Sequence, residues 1–136
     1  MESRDFRLGN MVNSISGDKL NLIKITALGK DYVSGSTVSK EIKRYPIEMV
    51  VIEPIHDEWI SNLGFAYSYW GSLGPVYIKP YGHLGETRYL ILQSEDEDIL
   101  IFNVFIAADG DLMDVTAICS VHELQNLYYS LTGEEL

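Results

Sequence analysis

The sequence predicts an α+β protein: a small antiparallel β-barrel at the N-terminus, a short connecting helix, then an antiparallel sheet covered by a C-terminal helix. Three observations carry this reading. Residues 6–54 hold five short apolar stretches separated by turn signals at near-regular spacing, the pattern of a small barrel. Residues 65–118 continue the alternation in longer runs, and the Asp109-Gly110 step between two of them marks a hairpin. The chain then closes on S-V-H-E-L-Q-N-L-Y-Y-S-L-T-G-E-E-L, where start, apolar stripe and stop agree on a helix. The expected division is 1–55 for the barrel and 56–136 for the sheet with its two helices, the latter able to form one compact unit.

The barrel strands are expected at Met11–Ile15, Leu20–Ile25, Tyr32–Ser34, Ser39–Tyr45 and Val50–Ile52, with Ser16-Gly17-Asp18 and Leu28-Gly29-Lys30-Asp31 as breaks. Pro46 and Pro54 suit strand ends, because proline cannot donate to a sheet ladder. The opening R-L-G-N-M-V resembles the first strand of SH3-like barrels, which makes an SH3-like small β-barrel the expected type. Pro54 before Asp57 and Glu58, with Gly64 after, describes a helix of about two turns that buries Trp59, Ile60 and Leu63.

Further strands follow at Phe65–Trp70, Val76–Lys79, Thr87–Gln93, Ile99–Ala107 and Leu112–Ile118. The fourth of these is apolar on both sides, so it is expected at the centre of a sheet covered twice. The C-terminal helix is expected on one face, and the barrel or the helix near residues 56–63 on the other. In that last helix Ser120 and Glu123 make an S-x-x-E capping box. Val121, Leu124, Leu127, Tyr128 and Leu131 fall in an arc of about 120°. Gly133 stands where the backbone must turn left-handed to end it.

Three motifs carry a family resemblance: R-L-G-N-x-V, E-P-I-x-x-E-W-I-x-x-L-G-F, and the terminal V-H-E-L-Q-N-L-Y-Y-S-L-T-G-E-E-L. Together they resemble a family of small uncharacterised proteins from Bacteroidetes genomes, phages and mobile elements, whose C-terminal motif reads V-H-x-L-Q-N-L-Y-x-x-L-T-G-E-E-L. They cover about a third of the chain, and His56 stands where the family usually has threonine. The resemblance implies the architecture and a mobile-element setting, and it brings no catalytic residue.

Composition bounds the rest. The chain has 136 residues, 46% hydrophobic and 22% charged, with a single cysteine, Cys119. That length buries enough surface to fold without disulfide or metal, and one cysteine excludes an intramolecular disulfide. No apolar leader is visible in M-E-S-R-D-F-R and no apolar run is long enough to span a bilayer. A cytoplasmic protein with no membrane partner is expected. The net charge of −10 is uneven: residues 1–45 carry eight Lys/Arg against five acids, and residues 46–136 carry Lys79 and Arg88 against fifteen.

Chemistry-bearing patterns are sparse. Asp109, Asp111 and Asp114, with Glu95-Asp96-Glu97-Asp98, offer oxygen ligands but lack the calcium-loop spacing. Cys119 and His122 have no second pair for zinc. Cys119, His122 and Asp114 are close in sequence, yet the cysteine ends an apolar strand and reads more simply as core. No phosphate loop, dinucleotide fingerprint or nucleophile elbow occurs. No catalytic residue, metal or cofactor is therefore expected. Phe65, Tyr67 and Tyr69, with Trp70, Tyr77, Tyr81 and Tyr89 nearby, form either a stacking surface or a half-buried sheet, and the sheet is the simpler reading.

The expected function is a non-enzymatic protein-interaction module associated with a phage or mobile element, acting on a protein partner or by self-association. His122, Gln125, Asn126 and Tyr129 are the expected partner-binding face, since the outer side of the terminal helix carries amides and an aromatic where lysine and glutamate would serve solubility. The alternative is nucleic-acid binding by the mildly basic barrel through Lys24, Lys40, Lys43 and Arg44, which should then share one face.

Overall fold

A computed structural model describes residues 6–17, 19–82, 87–96 and 99–136. Its architecture is α+β: two antiparallel sheets of five strands each, a short helix and a C-terminal helix. The elements divide into two compact units, one formed by residues 1–53 with 120–136 and the other by Pro54–Cys119.

The first unit contains β1 (Met11–Ser16), β2 (Lys19–Leu28), β3 (Tyr32–Ser36), β4 (Ile42–Pro46) and β5 (Val50–Ile52), in the order β4-β3-β2-β1-β5. A 3₁₀ turn, Ile47–Met49, leads from β4 to β5. Alternation along the strands puts Val12, Ile23, Ile25, Val33 and Val50 on one buried side, where they pack with Phe6. Among the described residues β4 and β5 do not pair with each other, so the ladder stays open.

The second unit contains α1 (Asp57–Asn62), β6 (Ala66–Trp70), β7 (Gly74–Tyr81), β8 (Arg88–Asp96), β9 (Ile99–Ala108) and β10 (Asp111–Ile118), in the order β10-β9-β8-β7-β6. β9 lies inside the sheet, as its two apolar sides predict. Val76, Ile91 and Ala107 make a core on one side, flanked by Trp70, Leu73 and Phe105. On the opposite side Leu90, Leu92, Phe102 and Val104 are also buried. That side carries Tyr77, whose hydroxyl donates to Asp57 at the start of α1.

The last helix, α2 (Val121–Thr132), forms where expected. Ser120 accepts from the Glu123 backbone N–H at 3.4 Å, and its hydroxyl donates to the Glu123 carboxylate at 2.7 Å. Gly133 closes the helix at φ 73°, its N–H donating to the Tyr129 carbonyl at 2.7 Å. α2 belongs to the unit of β1–β5, tied by the Val121 N–H to the Glu53 carbonyl at 2.9 Å and by side-chain bonds to the segment before β1. The cause is chemical: that segment has backbone groups to satisfy, and α2 supplies amides that reach them.

No helix among the described residues is long and apolar enough to cross a membrane.

Candidate interaction edges and cleft

The residues expected to face a partner are engaged inside the first unit. The Gln125 side chain accepts from the Met11 N–H at 2.9 Å and donates to the Gly9 carbonyl at 3.4 Å. Asn126 accepts from Asn10 at 2.9 Å and from Arg7 Nε at 3.2 Å. The His122 ring meets Phe6 edge to face at 4.9 Å and is within 3.1 Å of the Ser120 hydroxyl. Tyr129 lies under the Arg7 guanidinium at 4.1 Å. His122 and Gln125 are buried, Asn126 is half-buried, and only Tyr129 keeps substantial exposure, at 42%. This face of α2 is therefore an internal contact that seats residues 6–11. Arg7, which the sequence reading did not single out, also pairs with Glu135 and holds its carboxyl below the usual range chiefly by hydrogen bonding.

The basic residues do not share one face. Register pairs Lys43 with Gly35, and Arg44 with Ser34, so the two point to opposite sides of the sheet. Lys24 opposes Ser36 and lies on the Arg44 side. Lys40 sits in the β3–β4 turn at φ 64°. Lys43 already meets Glu41 at 3.6 Å, and Arg44 stacks on Tyr32 at 4.1 Å.

What remains open is the edge of the first sheet. The bonds Thr37 N–H to Glu41 carbonyl, 3.2 Å, and Ile47 N–H to Asp31 carbonyl, 2.9 Å, continue the β3–β4 ladder at both ends. Bonded pairs recur every second residue in an antiparallel ladder, so Lys43 and Tyr45 bond β3. The N–H and C=O groups of Ile42 and Arg44 then point outward, where no strand lies among the described residues. Beside this edge is a cleft of about 1020 Å³ lined by Ser14, Ile15, Val38, Lys43, Tyr45 and Met49. It opens because β5 pairs β1 only over Val12–Ser14, leaving Ile15 without a neighbour on that side. Ile15, Val38 and Met49 are exposed apolar side chains in its lining, and Ile42 is exposed on the edge strand itself. Two signals in the sequence pointed here: a three-residue last strand and the proline ending I-K-R-Y-P.

The second sheet has an open edge too. Asp109 and Gly110, at φ 53° and 84°, form a two-residue loop with Ala108 opposite Asp111. This is the type I′ hairpin, in which the flanking residues are the bonded pair. Met113 then bonds β9, and the backbone groups of Leu112 and Asp114 face outward. Every residue of β10 before Ile118 is exposed.

The aromatic residues divide. Phe65 is buried, Trp70 packs on Tyr89 at 5.5 Å, and Tyr77 contacts Phe102 at 6.4 Å and Tyr67 at 5.2 Å. Tyr67 and Tyr69, on the edge strand β6, are exposed. Among the described residues no group of three or more His, Cys, Asp or Glu is placed to hold a metal ion. Of the acids considered for calcium, Glu97 and Asp98 lie outside the described residues, as does Asp18 of the expected Ser16-Gly17-Asp18 turn.

Comparison of the chain with family models, curated proteins and solved structures found no match in any of the three.

Proposed function

We propose that the chain is a non-enzymatic protein-interaction module of a phage or mobile element, and that it binds an extended segment of a partner protein along β4. The observation that carries this reading is the outward set of backbone groups at Ile42 and Arg44 beside the cleft. An added strand would pair with those groups, and its alternate side chains would enter the cleft, the mode of recognition by strand addition. Each bond contributes a net of about 0.5–1.5 kcal/mol, and apolar area adds roughly 25 cal/mol per Å² buried. The mobile-element setting rests on the sequence resemblance. The strand order, with a 3₁₀ turn before the last strand, favours reading this unit as an SH3-like barrel left open along one seam. Nucleic-acid binding is the weaker alternative, because Lys43 and Arg44 face opposite ways.

The test is a peptide-display selection on the immobilised protein, with Ile42→Pro as control. Proline there removes an outward N–H without disturbing the bonds to β3. Selected peptides should bind the native protein, slow exchange of the Ile42 and Arg44 amides, and lose about tenfold or more in affinity on the variant. Peptides that bind both proteins equally would refute the reading.

A further inference from the structure

The two open edges match each other. On β4 the outward backbone positions are Ile42 and Arg44, and on β10 they are Leu112 and Asp114. Each edge thus carries an apolar residue and a charge two positions apart, and the charges are opposite. Ile42 is 68% exposed; on β10, Leu112 is 39%, Met113 63% and Val115 37% exposed. Lys40 adds positive charge at the first edge, where Lys43 is paired with Glu41, and Asp109 and Asp111 add negative charge at the second. Exposed apolar edge strands ordinarily carry lysine, proline or a covering element against unwanted pairing. β10 has neither lysine nor proline, and its bulge between Asp114 and Thr116 lies beyond the first four residues.

We propose that the segment received by β4 is β10 of a second copy of this chain. This rests on the reading of β4 as a strand-accepting edge. The contact joins two different surfaces, so a pair of copies still has one free β4 and one free β10, and association can continue head to tail into a ring or filament. Opposite charges fix which edges meet, since β4 against β4 or β10 against β10 would set like charges side by side.

Charge reversal tests it. Arg44→Glu sets an acid on β4 against Asp114 of the incoming strand, and Asp114→Arg sets a base on β10 against Arg44. Sedimentation of the native chain should show association that grows with concentration and weakens with salt. Each single variant should be about tenfold weaker or worse in self-association. An equimolar mixture of the two should associate again, because each then offers an edge complementary to the other. A variant that merely misfolded would not be rescued by mixing. A native chain that stays monomeric, or single variants that associate as the native chain does, would overturn the proposal. Selected peptides distinguish the levels: a monomer that still binds them in an Ile42-dependent way keeps the strand-accepting edge and loses only the second copy as its occupant. A monomer that binds none loses both.

Discussion

Arg7 shows how a single side chain can decide what a surface is for. Its guanidinium covers the Tyr129 ring, bonds Asn126 and pairs with Glu135, which turns the polar side of α2 inward. The amides chosen there answer specific backbone groups. Gln125→Ala would leave the half-buried Met11 N–H without its acceptor, an expected loss of about 1–3 kcal/mol in chemical denaturation. The double change His122→Ala and Tyr129→Ala should lower the melting temperature clearly, as both rings have partners within the unit. An unchanged melting temperature would mean that these contacts contribute nothing and the face is free. Tyr77 gives a pH signature. Burial first, then the Asp57 carboxylate, pushes it from 10.0 up to about 12. The folded state thus disfavours tyrosinate. Its contribution is complete below pH 10.0 and disappears as pH rises through about 12. Over that window the melting temperature of the native chain should fall more steeply than that of Tyr77→Phe; parallel curves would exclude the linkage.

The elements were legible because each is specified locally. Apolar alternation marked the ten strands, Asp109-Gly110 marked the β9–β10 hairpin, and Ser120 with Gly133 bounded α2. The docking of α2 was not legible. Periodicity placed the buried arc on Val121, Leu124, Leu127, Tyr128 and Leu131, whereas Val121, His122, Leu124, Gln125 and Tyr128 are the buried residues. The arc is turned by roughly 60–80° toward the polar side at 100° per residue. A hydrophobic pattern records only apolar contacts, and this helix is held as much by amides meeting backbone groups over a sequence separation of more than a hundred residues. The free β4 edge leaves only indirect marks, the three-residue β5 and the proline ending β4, since an unpaired N–H has no residue type of its own. Leu124 lies in both arcs and has no exposed surface. Leu124→Ala should therefore cost about 2–5 kcal/mol through lost burial and a cavity. A loss below about 0.5 kcal/mol, the level of surface substitutions, would show that the helix does not pack through this residue.

The path of the chain gives the two units different standing. Pro54–Cys119 is inserted between the two stretches of the first unit. The first unit holds its own ends together, through the Val121 N–H to the Glu53 carbonyl at 2.9 Å. The inserted unit does the same, through the Ile55 N–H to the Cys119 carbonyl at 3.1 Å. Segments whose ends meet and whose cores are internal tolerate insertion and excision. The core of Phe6, Val12, Ile23, Ile25, Val33 and Val50, with Tyr45 and Ile47 packed on it, is built from residues of the first unit. Replacing 54–119 by a short glycine-serine link between Glu53 and Ser120 should then leave a folded β1–β5 sheet with α2 docked on it. Dispersed amide resonances, a cooperative unfolding transition and retained Ile42-dependent peptide binding would be the signs. The shortened chain would also lack β10 and so should not self-associate, although it should still accept β10 from the intact chain. A shortened chain without a cooperative transition would show that the first unit requires its insert.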